Sequence, residues 1–574
     1  MKTLLPYMRK YRKFAILCPL FMVLELSSDI LIPYLMSLIV DVGIMTRDVS
    51  YITRTGGIMI AIALVGMIIG IMSAHYGAIA GYGFAAEIRK ASFEKIQTFS
   101  FANLDQFSVS SLITRLTTDA NTVGMTTMMS LRMAIRAPFM MVFALIMAFN
   151  INRELARVFL VSLPLLTIIL VIILGKARPL FELLQKKVDA VNSITQENLT
   201  GIRVVKSFNR EDFEEAKFKK GNDELRDTAL RAVTIIVAFM PVITVTIFST
   251  IIAVLWIGGL QITAGSMGKG ELISFIAYIT QVLMAIMMLS IFFMQFMRGQ
   301  ASAKRIEEVL SVESEITSPA SPVHQLEDGS IEFENVYFCY PGSREKTLHD
   351  INLKIKSGEV IGIIGSTGSS KSTLVQLIPR LYDVSSGTLK VGRCDVKSYD
   401  VESLRDQVAY VLQKNVLFSG TIRDNMKWGK EDATDEEIIQ ALKEAQAWEF
   451  VSKDDLALDK RVEQGGSNFS GGQKQRLTIA RALMKRPKII ILDDSTSAVD
   501  VGTDLQIQRT FHEVLEGVTT ILIAQRISSI QSADRIIVMN EGKIESIGTH
   551  EELLNSSCIY KEIYESQQKG VIGE

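Results

Sequence analysis

The sequence predicts an all-α transmembrane domain of six helices followed by an α/β domain built on a phosphate-binding P-loop. Three observations predict it. Six long apolar stretches precede about residue 300, a strand–glycine loop–helix pattern follows at 360–374, and composition changes between the two halves. Mean hydropathy is positive at +0.26 while 21% of the 574 residues are charged. A membrane part joined to a soluble part gives both values at once. The expected division is 1–310 transmembrane, 311–328 linker and 329–570 P-loop domain.

A bilayer core needs roughly 20 mostly apolar helical residues. The stretches at about 14–40, 57–83, 131–150, 155–174, 233–259 and 272–297 meet that length. A buried core helix is the bland explanation for any one of them, but not for six in succession. The segments 84–130 and 175–232 are rich in Lys and Arg, among them Arg89, Lys90, Arg115, Lys186, Lys187, Arg203 and Lys206, whereas the other links are short and carry few. Excess basic charge marks the cytoplasmic side. Both termini and the P-loop domain are therefore expected in the cytoplasm, with a cell (cytoplasmic) membrane as location. The two basic segments read as amphipathic helices extending below the bilayer. The basic start, residues 1–13, precedes an apolar run too long for a signal peptide and lacking a small-residue cleavage site.

Glu25 and Asp29 share one face of the first predicted membrane helix. An ionisable residue at membrane depth is costly and should face protein or water. Three readings follow: a contact for cationic substrates, a structural pair bonded to neighbouring helices, or a polar face lining the cavity without touching cargo. Arg132 and Arg136 form a similar pair in the third helix, for which a salt bridge or phosphate-level anchoring is expected. The net charge of −1 excludes nothing by sign but gives no footprint for a nucleic-acid partner. Cys18, Cys339, Cys394 and Cys558 lack CxxC spacing, which argues against a disulfide scaffold or zinc site.

In the second half, the buried strand 360–364 runs into Gly365-Ser366-Thr367-Gly368-Ser369-Ser370-Lys371-Ser372-Thr373, with a helix expected from Leu374. Backbone N–H groups of such a loop curl around phosphates, and the helix N-terminus adds positive field. Lys371 would reach the β- and γ-phosphates, and Ser372 would place its hydroxyl on Mg²⁺. ATP with Mg²⁺ is the ligand this implies. Ser370 stands where the motif calls for Gly. If the backbone there needs positive φ, a serine costs roughly 1 kcal/mol; the alternative is a serine that adopts the same conformation at little cost. A second apolar strand, 488–492, ends in Asp493-Asp494, and Asp493 would hold the Mg²⁺ shell through water.

Between them, Asn468-Phe469-Ser470-Gly471-Gly472-Gln473 resembles the signature sequence of ABC transporters. That resemblance implies a helix N-terminus offering the Ser hydroxyl and glycine N–H groups to the γ-phosphate of a nucleotide on the opposite domain, so that one domain cannot complete a site alone. Other motifs follow in family order. Tyr340 is similar to the aromatic that stacks on adenine. Gln413 is similar to the glutamine that touches Mg²⁺ and reports to the membrane half. Val462 to Gly466 resembles the coupling loop upstream of the signature, and Ser497 to Asp500 the loop that crosses the dimer interface. Segments 111–119, 197–208 and 301–305 resemble the ABC exporter fold, in which the stretches near 101–110 and 208–215 would act as coupling helices.

Two catalytic positions are also substituted. The family places Glu after the strand-end Asp, as the base that positions the attacking water; here stands Asp494. It places His after the next strand; here stands Gln525. An Asp carboxylate lies roughly 1 Å back from that of Glu, and a misplacement of ~1 Å can cost ~10²-fold in rate. Gln donates a hydrogen bond but carries no charge. A slower symmetric homodimer is one reading. Two substitutions beside an intact signature resemble, instead, the degenerate-site subunit of a bacterial heterodimeric multidrug ABC exporter. The resemblance implies ATP-driven export of small hydrophobic or cationic substrates with a second ABC half-transporter as partner. An ATP-gated membrane regulator and a dedicated peptide or lipid exporter are the rival functions.

Overall fold

In the computed structural model the structure describes residues 2–343, 345–494 and 515–572. The chain forms two compact units, Met1–Gln97 with Val109–Ser311, and Thr98–Ser108 with Val312–Glu574. The division differs from the expected one in two places. Residues 98–108, expected in the membrane domain, cluster with the second unit. So do residues 312–328, expected as a linker: Leu326 is buried and Val323 N–H donates to Ser398 O at 2.9 Å.

The first unit is helical. Its elements are α1 (Arg12–Leu38), α2 (Val49–Gln97), α4 (Val109–Thr114), α5 (Ala120–Ile151), α6 (Phe159–Thr200), α7 (Ile202–Ser207), α8 (Glu211–Thr263) and α9 (Lys269–Ser311), with the short α3 (Phe101–Asp105) in the second unit. Six of these helices are long; the predicted spans 57–83, 131–150, 233–259 and 272–297 fall within α2, α5, α8 and α9, while 14–40 runs two residues past α1 and 155–174 begins four residues before α6. Five helical runs among the described residues are long and apolar enough to cross a membrane: Thr3–Ile44, Val49–Gln97, Val109–Ile151, Thr244–Thr263 and Lys269–Ser311. The fourth predicted stretch, 155–174, contributes the shorter apolar run Leu155–Ile169. The helices outrun their apolar windows; α2 has 49 residues and α8, which carries Pro241 in its interior, has 53.

Small residues let these helices approach closely. A Cβ on Gly81 of α2 would lie 2.7 Å from the Gly124 carbonyl oxygen of α5. At the same end of α5, just before its first residue, the buried carboxylate of Asp119 accepts a fork of bonds from Arg305 of α9, at 2.5 and 2.8 Å. The second expected coupling helix is displaced: the short helix is α7 at 202–207, while 208–215 holds the turn into α8. Gly201 leaves helical geometry at φ −92°, ψ 13°, which ends α6, and Asn209 at φ 53° ends α7.

The second unit is an α/β domain whose strands are β1 (Ile331–Phe338), β2 (Leu348–Ile355), β3 (Val360–Gly365), β4 (Ser386–Val391), β5 (Cys394–Asp395), β6 (Val408–Val411), β7 (Gly420–Thr421), β8 (Arg461–Val462), β9 (Ile489–Asp493), β10 (Thr519–Ile523), β11 (Arg535–Asn540) and β12 (Lys543–Gly548). The main sheet has the order β12-β11-β3-β10-β9-β6, parallel except for β12. Covered on both faces, its central strands read as near-continuous apolar runs, and every residue of β9 is buried. A second sheet, β2-β1-β4-β5, packs its apolar side chains into one core with β3 and Tyr399. The arrangement sets the C-terminal ends of β3 and β9, with β10 between them, side by side. In open α/β sheets that edge is where ligands bind.

Candidate functional site

β3 delivers the chain into the glycine loop. A Cβ at Gly365 would lie 2.1 Å from the Met539 carbonyl oxygen, so glycine alone fits there. Ser370 caps the following helix, α10 (Lys371–Gln376), at φ 71°, ψ 25°. The helix thus starts three residues before the expected Leu374, and the position that departs from the motif is left-handed. Lys371 and Ser372 occupy its first turn. The Lys371 ammonium folds over the loop, donating to the carbonyls of Gly365 and Ser366 at 2.9 Å each and to Ser369 Oγ at 3.2 Å. Ser366, Thr367 and Gly368 form the exposed crest and Ser369 the buried floor. A bound phosphate would take over the lysine's bonds to the crest.

Asp493 ends β9 beside this loop, almost fully buried. One carboxylate oxygen accepts from Ser372 Oγ at 3.0 Å and the other from the Tyr410 hydroxyl at 2.8 Å. Burial pushes the Asp493 carboxyl above its ordinary value, against the pull of Tyr410 and Ser372. Burial likewise pulls the Lys371 ammonium down, opposed by the charges of Asp493 and Asp494. Sequence reasoning missed Tyr410. The available signal was a residue with a polar tip inside the apolar run Val408–Val411, which needs a hydrogen-bond partner when buried. Among the described residues no three His, Cys, Asp or Glu gather to hold a metal by themselves. The hydroxyl and carboxylate oxygens of Ser372 and Asp493 suit a hard cation such as Mg²⁺ that completes its shell with phosphate oxygens and water.

The two departing positions meet. Gln525 Nε2 donates to Asp494 Oδ2 at 2.7 Å, and Gln413 Nε2 reaches the same oxygen at 3.3 Å. Asp494 is itself left-handed at φ 49°. Gln413, expected on the cation shell, is therefore directed to Asp494; its side chain is long enough to bridge from the end of β6 to the end of β9. The carbonyl of Asp494 accepts from Gln475 Nε2, which ties it to the helix Gly471–Leu483.

That helix opens with the signature. Ser470 is its N-cap: Ser470 Oγ accepts from the Gln473 backbone N–H at 3.3 Å, and the Ser470 N–H donates to Gln473 Oε1 at 3.0 Å. This reciprocal capping leaves the N–H groups of Gly471 and Gly472 at the helix start, pointing outward with its positive field. Among the described residues, none of the bonds made by 365–373 reaches Ser470 to Gln473. The expected interface loop, Ser497 to Asp500, lies outside the described residues. Tyr340 is turned inward: its hydroxyl pairs with Thr373 Oγ1 at 2.9 Å, and its ring meets Phe338 and Tyr382 edge-on at 4.9 and 5.3 Å.

In the membrane unit, Arg136 of α5 bridges both acidic residues of α1, with Nη1 2.6 Å from Glu25 Oε1 and Nη2 2.8 Å from Asp29 Oδ2. The salt bridge expected for the arginine pair is made by Arg136. Gln281 of α9, which sequence reasoning missed, donates to the Asp29 carbonyl at 2.9 Å. A separate apolar cavity of about 710 Å³ is lined by Met141, Leu163, Thr167, Ile286, Leu289 and Phe293, among others.

Comparison with known proteins adds matches to two family patterns, two relatives and one solved structure. The pattern of the ABC transporter transmembrane region matches residues 15–287, and a second pattern, ABC transporter, matches 348–497. The chain is 38% identical over 570 residues to the uncharacterized ABC transporter ATP-binding protein YfiB of Bacillus subtilis (strain 168), covering 99% of this chain and 98% of that one. It is 33% identical over 458 residues to the probable multidrug resistance ABC transporter ATP-binding/permease protein YheI of the same strain, covering 80% and 78%. Its fold matches a solved bacterial Atm1-family ABC exporter with ATP bound, at a TM-score of 0.81 and 22% identity over 97% of this chain and 98% of that one.

Proposed function

The chain belongs to the ABC transporters, as an exporter-type half-transporter with its transmembrane region and ATPase domain in one polypeptide, and from that premise we propose that it exports hydrophobic or cationic drugs and other xenobiotics as one subunit of a heterodimer with one degenerate and one competent ATP site. Likeness to a probable multidrug resistance transporter supports the cargo class, as does an apolar cavity among the membrane helices. The basic segments 84–130 and 175–232 support a cytoplasmic ATPase domain in the cytoplasmic membrane.

The observation that carries the asymmetric reading is the Gln525–Asp494 hydrogen bond beside an intact signature cap. Asp494 is too short to stand in for Glu, and its outer oxygen is held by two neutral amides. A residue bound in this way is poorly placed to accept a proton from water. This chain's own loop would therefore keep ATP and split it slowly. Ser470 to Gln473 would close over the triphosphate on the partner, where the partner's glutamate positions the attacking water. Mg²⁺ at Ser372 and Asp493 would neutralise charge on the phosphate oxygens. Two nucleotides would clamp the ATPase domains together and turn the membrane halves from inward- to outward-facing, provided ATP binds the closed dimer more tightly than the open one.

Purified alone, the chain is expected to bind ATP with very low turnover; brisk hydrolysis by a homodimer defeats the asymmetric reading. In the complex, Ser470→Trp should collapse turnover, whereas Asp494→Asn should leave most of it. Equal damage from the two changes would show that both sites share the work.

A further inference from the structure

Tyr410 is the third residue of β6, and the other three, Val408, Ala409 and Val411, are buried apolar side chains. β6 runs parallel to β9 with Tyr410 opposite Ile491. Asp493 lies two residues further along β9, on the same face of the sheet. That register lets the Tyr410 hydroxyl donate to Asp493 Oδ2 at 2.8 Å, while Asp493 Oδ1 accepts from Ser372 Oγ at 3.0 Å. Asp493 is only 2% exposed, so these two hydroxyls, and not bulk water, satisfy its carboxylate. The Tyr410 ring packs against the apolar core that β3 and β9 share. Each oxygen of one buried carboxylate is thus held by a different element, the first turn of α10 and the third residue of β6.

We propose that Tyr410 is a positioning residue for the Mg²⁺ site, which by holding Asp493 Oδ2 sets how Asp493 Oδ1 and the Ser372 hydroxyl face the cation. A carboxylate only accepts hydrogen bonds, whereas a hydroxyl donates one and keeps two lone pairs. Ser372 can therefore go on donating to Oδ1 while its own oxygen faces the cation. Tyr410 stands outside the loop 365–373 and acts only through Asp493. Without its hydroxyl, Oδ2 would be a buried carboxylate oxygen lacking its donor, which is strongly unfavourable. The carboxylate would then turn toward the donor that remains, Ser372, and draw that hydroxyl away from the cation. Groups that orient a metal's ligands are typically worth ~10–100-fold in metal affinity. The proposal rests on the reading of Ser372 and Asp493 as the Mg²⁺ site, and not on the asymmetric-site reading, which is tested by turnover.

The test uses the full-length chain in lipid nanodiscs and Mn²⁺ as the probe of the cation site. Mn²⁺ binding is followed by electron paramagnetic resonance, with the chain in excess over a non-hydrolysable ATP analogue so that the nucleotide is bound. Affinity for a fluorescent ATP analogue is measured in parallel in EDTA. Tyr410→Phe keeps the ring and its packing and loses only the donor. It should bind the analogue in EDTA within twofold of wild type, which also shows that the domain is folded, while its Mn²⁺ affinity falls by about tenfold or more. Asp493→Asn should weaken Mn²⁺ at least as much, and adding Tyr410→Phe to it should weaken Mn²⁺ no further, because the two residues act as one unit. A tyrosine that only holds the fold would weaken nucleotide binding in EDTA as much as it weakens Mn²⁺. The proposal is overturned by that result, and equally if Tyr410→Phe binds Mn²⁺ within twofold of wild type. If the wild-type complex holds Mn²⁺ no tighter than free nucleotide does, the reading of Ser372 and Asp493 as the cation site falls with it; a tight wild type with an unchanged variant overturns this proposal alone.

Discussion

Ser370 and Asp494 are both left-handed, at φ 71° and φ 49°, and neither is glycine. An L-residue in that region costs roughly 1–2 kcal/mol relative to a right-handed one, and such strain persists only where the surroundings fix it. At Ser370 the surroundings are the loop and the first turn of α10, whose lysine holds Gly365 and Ser366. Ser370→Gly is expected to tighten ATP binding by up to about fivefold, or about 1 kcal/mol, measured by calorimetric titration of the full chain. Unchanged affinity would show that serine meets this backbone at no cost. The departure from the loop motif was legible in sequence, because the motif fixes which position it is. Its left-handed φ was not legible, since backbone angles depend on where β3 and α10 are anchored. The bond between Gln525 and Asp494 was hidden for the same reason: the two residues lie 31 positions apart and meet only because β9 and β10 are neighbours.

Helix α1 carries two carboxylates into an apolar setting, and α5 answers with one guanidinium. Sequence periodicity placed Glu25 and Asp29 on one face; only packing decides what that face meets. Removing one partner of a buried ion pair typically costs ~3–5 kcal/mol because it leaves the other charge uncompensated. The three side chains are 22%, 16% and 37% exposed for Arg136, Glu25 and Asp29, which places Arg136→Ala near about 3 kcal/mol. A lower thermal unfolding midpoint in detergent is the expected result. Adding Glu25→Gln and Asp29→Asn to that variant should recover much of the loss, because no charge is then left unpaired. An unchanged midpoint would mean that water, not Arg136, solvates the two acids. The same pairing bears on cargo: with Arg136 in place, the acidic face presents at most one net negative charge.

Across the whole molecule, a membrane unit and an ATPase unit share one chain, and ABC exporters typically act as dimers. The signature helix has its cap and its outward N–H groups but no bond to the phosphate loop of its own unit among the described residues. On the proposed heterodimer reading, transport belongs to the assembled pair. Inside-out vesicles holding this chain and its partner should accumulate a hydrophobic cationic dye when given Mg-ATP, to a level above equilibrium that collapses when ATP is omitted. A gate without pumping would only equilibrate the dye. Accumulation is the readout that separates an exporter from a regulator, since both would hydrolyse ATP.

The sequence by itself determined the architecture, because apolar length reports a bilayer and a strand–glycine loop–helix reports a phosphate cradle; both are local patterns of hydrophobicity and steric freedom. It also determined which positions depart from the family pattern, Ser370 in the loop and Asp494 and Gln525 at the catalytic positions. The tertiary structure decided what those side chains touch: Asp494 held by Gln525, Asp493 held by Tyr410, Glu25 and Asp29 held by Arg136, and Asp105 drawn into the ATPase unit by Tyr382. Each of these pairs joins residues distant in the chain, and no local pattern encodes a partner that only sheet order and helix packing bring within hydrogen-bond reach.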